Sequence, residues 1–214
     1  MKNVLIIGAG RYGVYAAQKL HELGQQIMAI DKDEERLTEI LPYTSDAQIG
    51  DSTDENYLAT LGVSDYDLCI VAIGDNFLAS LETTFLLNEL GAKKIVARAT
   101  KATQEKFLLR NGASAVVFPE RELGVWTAIR FSTDNVLNYI ELHNGYSVME
   151  ITVPEEWDNE SVGELDVRNK HRINILGTGK EELNMDISVN TVLRAGDRLL
   201  VLGKNDDLKK LMKV

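Results

Sequence analysis

NVLIIGAGRYG, residues 3–13, sets an uninterrupted apolar run directly before glycines spaced G-x-G-x-x-G, and RYGVYAAQKLHEL, residues 11–23, continues with Val14, Ala17 and Leu20 at helical spacing. A strand that turns through glycines into a helix is the context a dinucleotide fingerprint needs. Gly8 permits the tight turn, Gly10 lets backbone approach a pyrophosphate, and Gly13 allows the helix to pack on the strand. The free N–H groups and positive dipole end of that helix then face the phosphates. A second strand, 26–30, ends at Asp31, where a carboxylate can accept hydrogen bonds from ribose hydroxyls and would repel a 2′-phosphate. If Asp31 is exposed at the strand end, replacing it should change thermal stability little.

Outward from this stretch the pattern repeats. Strand-like runs at 46–50, 67–73, 94–99 and 114–119 alternate with helical stretches at 33–40, within 51–62, at 77–90 and at 102–111. Apolar strands without polar alternation, separated by helices, mean a parallel sheet covered on both faces. The fold class is therefore α/β, a doubly wound Rossmann-like sheet over residues 1–120. After Pro119 the rhythm changes. Residues 120–140 read as one long helix, so 121–142 is expected to be a crossover helix and hinge. A turn at HNGY, 143–146, opens a small α+β module over 143–214, with strands in YSVMEITVP, NILGT and RLLVLG and short helices near 160–165 and 205–212.

Composition bounds the function. With 214 residues the chain can bury roughly 70% of its unfolded surface and needs no disulfide or metal to fold. Its 33 acidic against 23 basic residues give a net charge of −10, which argues against nucleic acid and anionic lipid as partners. One cysteine excludes an internal disulfide and a multi-cysteine zinc site. The opening apolar run is too short for a signal segment or a spanning helix, so a cytoplasmic protein is expected, touching a membrane only through a partner.

The ligand edge of the sheet gathers further candidates. Arg11 inside the glycine loop can fork onto phosphate oxygens. Asp51 and Ser52 follow the third strand, beside the adenine edge, and are equally suited to cap the next helix. Arg98 ends the fifth strand, and Glu120 follows the sixth. The expected cofactor-binding set is Gly8, Gly10, Arg11, Tyr12, Gly13, Asp31, Lys32, Asp51, Ser52, Ala72, Ile73, Gly74 and Arg98. Catalytic machinery is missing: hydride transfer needs an acid/base near the nicotinamide. His21 falls late in the first helix, the other two histidines in the C-terminal third, and Cys69 mid-strand in an apolar run. Tyr15-x-x-x-Lys19 matches a short-chain dehydrogenase spacing but falls within the first helix. A nucleotide site without catalysis suggests a sensor.

GDSTDENYLATLGVSDYDLCIVAIGDN at 50–76, with the fingerprint and Asp31-Lys32, resembles the RCK (KTN) family, the cytosolic regulatory subunits of Ktr/Trk-type potassium uptake systems. PERELG at 119–124, NVLNYIEL at 135–142 and LRAGDRLLVLG at 193–203 resemble its crossover region and C-terminal domain. The resemblance implies a homodimer assembling into a homo-octameric ring beneath a membrane potassium channel or transporter subunit. It implies ATP/ADP or NAD(H) in the glycine-loop cleft, with ligand exchange reshaping the ring. It also implies that Glu120 meets a divalent cation, Mg²⁺ or Ca²⁺, near the phosphates at the dimer interface, and that cyclic di-AMP binds at the C-terminal domain's own dimer interface, at Val162, Arg168, Ile173 and Ile175. The competing reading is an NAD-dependent Rossmann oxidoreductase with an unrecognised substrate.

Overall fold

A computed structural model of the chain describes residues 1–212; residues 213–214, the end of the expected C-terminal module, lie outside the described residues. Two units divide the chain, Met1–Glu120 and Arg121–Val214.

In the first unit the apolar runs form β1 (Asn3–Ile7), β2 (Gln26–Asp31), β3 (Asp46–Ile49), β4 (Leu68–Val71), β5 (Ile95–Arg98) and β6 (Ala115–Val117). Between them lie α1 (Arg11–Glu22), α2 (Glu34–Ile40), α3 (Glu55–Thr60), α4 (Phe77–Glu89) and α5 (Ala102–Arg110). The strands make one parallel sheet in the order β3-β2-β1-β4-β5-β6. Successive side chains of β1 go to opposite faces. Val4 and Ile6 therefore join a core with Ala17, Leu37 and Ile40, on the α1 and α2 side. Leu5 and Ile7 join Leu58, Leu87 and Leu108, on the side of α3, α4 and α5. Burial on both faces is why the run 4–7 has no polar alternation. The strand order reverses between β1 and β4, and the loops after them part at the carboxyl edge of the sheet, where open α/β folds place their ligands.

α6 (Pro119–Arg130) carries the chain from the first unit into the second. The second unit then has an antiparallel sheet of β7 (Val136–Glu141), β8 (Tyr146–Thr152), β9 (Ile173–Gly179) and β10 (Arg198–Lys204), in the order β7-β8-β10-β9. Two single-turn helices, α7 (Val162–Leu165) and α8 (Val167–Lys170), precede β9, and α9 (Asn205–Leu211) follows β10. Val136, Met149, Ile151, Trp157, Ile173, Leu199 and Val201 fill the core.

The expected single helix over 120–140 is corrected here. The helix stops at Arg130, and 136–141 is a strand paired antiparallel with β8. Ser132 and Thr133 hydroxyls bond locally, to Ile129 O and Asn135 Oδ1, which competes with helix propagation. Val136 and Ile140 suit a pleated surface as well as they suit helical spacing, and full burial of Val136 against Ile151 decides the contest. Among the described residues no helix is long and apolar enough to cross a membrane.

Candidate functional site

A cleft of about 860 Å³ opens at the carboxyl edge, between the loops after β1, β2, β3 and β4. That volume is within the usual range for small-molecule and cofactor sites. Gly8, Gly10, Arg11, Asp31, Lys32, Asp51, Ser52, Ala72, Ile73, Gly74 and Arg98, all expected from the sequence, line it together.

The glycine loop is built by close approach. Gly8 has φ +101°, and a Cβ there would sit 3.2 Å from the backbone of Ala72 and Ile73. A Cβ on Gly13 would collide with the Gly8 carbonyl oxygen, so Gly13 serves packing and does not line the cleft. Gly10 is the N-cap of α1, contributes no side-chain cap, and has open space where a Cβ would project. With no acidic residue in its first turn, α1 presents its positive end uncompensated.

Asp31 is not at an open strand end. It is 7% exposed, and its carboxylate accepts from Ala9 N–H at 2.7 Å and Asp33 N–H at 3.0 Å. It therefore ties the end of β2 to the glycine loop, and the exposure under which its replacement would leave stability unchanged is not met. Buried backbone donors demand a partner, and Asp31 is the one Ala9 has been given.

On the opposite wall Asp51 is exposed, and its Oδ1 accepts from Thr53 N–H at 3.0 Å and Thr53 Oγ1 at 2.7 Å. The Thr53 amide holds its carboxyl below the usual carboxylate range. Capping of α3 falls to Asp54 instead, which accepts from Asn56 and Tyr57 N–H. Ser52 is buried, its hydroxyl 2.8 Å from Thr83 Oγ1 on α4. That hydroxyl fixes the turn to α4.

Sequence reasoning missed the outer lining, chiefly Asp33, Arg36, Asp75 and Glu82. Arg36 pairs with Asp33 at 3.5 Å and with Asp75 at 3.2 Å, linking the β2 side of the cleft to the β4 side. The i,i+3 spacing of Asp33 and Arg36 signalled the first pair; the second joins residues 39 apart in sequence and had no local signal. The Arg36 hydrogen bond holds Asp75 below the usual carboxylate range.

Tyr12 does not line the cleft; its ring lies under the Arg98 guanidinium, 5.8 Å from centroid to Cζ. Glu120 also lies outside the lining, and its carboxylate is ion-paired with Arg98. Burial pushes the Glu120 carboxyl up, but its backbone hydrogen bond and Arg98 outweigh this and leave it below the usual range. Among the described residues no group of three or more His, Cys, Asp or Glu is placed to hold a metal ion.

The four residues expected to hold cyclic di-AMP are spread over α7, α8 and β9. Arg168 Nε donates to Asn174 Oδ1 at 2.9 Å, Val162 and Ile175 pack against the core, and Ile173 is fully buried within it. The enclosed Ile173 side chain offers a ligand no surface, while its strand, β9, stands at the edge of the sheet. Cys69 is buried too, and burial pushes its thiol up to about 12, as befits a small core hydrophobe. Tyr15 is exposed, and Lys19 pairs with Glu22 at 2.8 Å, which leaves no dehydrogenase-like pair.

Comparison with known proteins agrees with this architecture. Residues 4–119 match the model of the TrkA-N domain and residues 148–214 that of the TrkA-C domain. The chain is 34% identical over 210 residues to Ktr system potassium uptake protein A of Bacillus subtilis (strain 168), covering 98% of this chain and 95% of the relative. It is 37% identical over 214 residues to Ktr system potassium uptake protein C of the same organism, covering 99% and 96%. Among solved structures, the RCK domain of GsuK superposes with a TM-score of 0.70 at 20% identity, over 99% of this chain and 47% of that one. The GsuK channel bound to NAD superposes with a TM-score of 0.68 at 19% identity, over 97% and 38%. Both share the fold.

Proposed function

The chain belongs to the TrkA family, carrying a TrkA-N and a TrkA-C domain, as its resemblance to RCK proteins implied, and on that premise we propose that it is a nucleotide-binding, non-catalytic gating subunit of a potassium uptake system. The observation that carries the reading is the cleft itself: an uncapped α1 N-terminus and a glycine loop facing Asp31 at the switch point of a parallel sheet. The potassium uptake role rests on the full-length similarity to the two Ktr proteins, and it is favoured over the oxidoreductase reading.

An adenosine nucleotide, ATP/ADP or NAD(H), supplies phosphate charge and a ribose diol when bound. The residues have separable tasks. The Asp31 carboxylate, already aimed by Ala9 and Asp33, accepts from the ribose hydroxyls. Gly10 and the first turn of α1 approach the phosphates, and Arg11, which makes no ion pair among the described residues, adds a free guanidinium. Asp51 and the Ser52 backbone border the base. We derive no step through a divalent ion at Glu120 and none through cyclic di-AMP in the second unit.

The protein would lie on the cytoplasmic side of the membrane, reaching it through a potassium-translocating partner. Assembly from homodimers into a ring is supported by the exposure of Leu123, Val125 and Phe131 on and just after α6, apolar surface that a second copy would cover. Calorimetric titration with ATP, ADP and NADH, beside light scattering with and without nucleotide, tests the reading. Saturable binding by an oligomer is expected. A monomer that binds none of the three would overturn it.

A further inference from the structure

Arg98 stands between the cleft and the start of α6. It ends β5, lines the cleft, and crosses Gly74, where any Cβ would collide with its Nη1. The Tyr12 ring supports it from beneath. Its Nη2 bonds the Glu120 carboxylate, while its Nε is buried with no hydrogen-bond partner. A guanidinium carries five donors, and a buried one left over is a cost that an incoming acceptor removes. The two side chains are unequally held: Arg98 is 20% exposed and Glu120 55%. Glu120 is the more exposed member of the pair, sitting in the first turn of α6, the helix that continues into the second unit.

We propose that ligand phosphate in the cleft competes with Glu120 for Arg98, so that phosphate charge is read out as the release of the first turn of α6. The inference rests on the cleft being a nucleotide site and specifies how that site is coupled onward. A triphosphate brings several anionic oxygens that a guanidinium can meet as a fork, against one half-exposed carboxylate. A ligand shifts an equilibrium only by its difference in affinity for the two states. Here the difference lies in phosphate number, so ATP would displace Glu120 more than ADP, and adenosine not at all. Gly74 and Tyr12 keep the guanidinium level with the cleft in both arrangements.

The test uses the purified full chain in EDTA, so that no divalent ion contributes. Glu120→Gln removes the competitor and is expected to raise ATP affinity about 1.5- to 5-fold, the span of a partly exposed ion pair. ADP affinity should rise less, and adenosine affinity should not change. Arg98→Gln should weaken ATP and abolish the gain in the double variant; Arg98→Lys, which keeps charge and loses the fork, should fall between. Hydrogen exchange of amides 122–124, the first that can bond within α6, should quicken when ATP saturates the parent and be fast already in Glu120→Gln. An unchanged or lowered ATP affinity in Glu120→Gln overturns the proposal, as does α6 exchange indifferent to saturating ATP. A parent that binds no nucleotide overturns the nucleotide reading itself, a result separable from these two.

Discussion

Replacing Asp31 by Ala should damage the fold and the ligand site together, by separable amounts. The carboxylate is the partner of Ala9 N–H, 2.7 Å away, at a residue only 3% exposed. Alanine leaves that donor buried and unsatisfied, which costs about 1–3 kcal/mol. The second bond, to Asp33 N–H at 3.0 Å, is partly buried, so water can replace it and it adds little. Taking about 2 kcal/mol for the whole, and about 2–4 °C per kcal/mol for a chain of this size, the ligand-free melting temperature should drop by about 4–8 °C. Asp31→Asn retains an acceptor for Ala9 without the charge, so it should lose roughly half as much. Ribose binding loses charged hydrogen bonds of about 1.5–3 kcal/mol each, hence more than tenfold in affinity for ATP, NADH and adenosine alike. Thermal melts of the ligand-free protein give the first quantity and calorimetry the second. An unchanged melting temperature in Asp31→Ala would refute the structural tie, and unchanged affinities would remove Asp31 from the ligand site.

Two glycines of the loop should behave oppositely: Gly13→Ala, whose Cβ meets the Gly8 carbonyl, should cost about 1–3 kcal/mol of stability, whereas Gly10→Ala, with open space at its Cβ, should hold stability within about 0.5 kcal/mol and weaken nucleotide binding instead. Denaturant titration beside calorimetry separates them, and equal stability losses would contradict the assignment. Cys69, its thiol pushed up to about 12 by burial, should not react with an aromatic disulfide reagent in the native protein at pH 8 and should react fully in denaturant. Asp75 is held below its ordinary carboxylate range by Arg36, so their pair stabilises the fold above the unfolded-state value of about 3.9 and is lost as pH falls through the lower folded value. Melts between pH 6 and pH 2 should therefore show a steeper acid loss in the parent than in Asp75→Asn, by less than about 1 kcal/mol because the pair is exposed, and 1 M salt should shrink the difference. Identical acid profiles would show that the Arg36 pair contributes nothing.

The first unit was largely legible because local rules and global burial agree there. Residues 4–7 lack alternation because both sheet faces are covered, and the glycines mark the one place where backbone crowds backbone. The second unit was less so. Residues 136–141 satisfy helical and strand spacing alike, and only pairing with β8, a contact outside the segment, makes them a strand. At the site, residue identity survived translation into space better than residue role. Asp31 and Ser52 do line the cleft, but the partners that occupy their polar atoms, Ala9 22 residues away and Thr83 31 residues away, are set by the fold. Glu120 shows the same gap: its place at a helix start was readable, while its engagement by Arg98, 22 residues earlier, is set by the fold of the first unit.

Whether nucleotide in this cleft sets potassium flux is read from rubidium uptake into proteoliposomes. These would hold the potassium-translocating membrane protein that co-purifies with the chain, with and without the chain, across ATP, ADP and NADH. Flux should depend on which nucleotide is present, only when the chain is present, and should lose this dependence in Asp31→Ala. Flux indifferent to nucleotide with the chain bound would contradict the gating role.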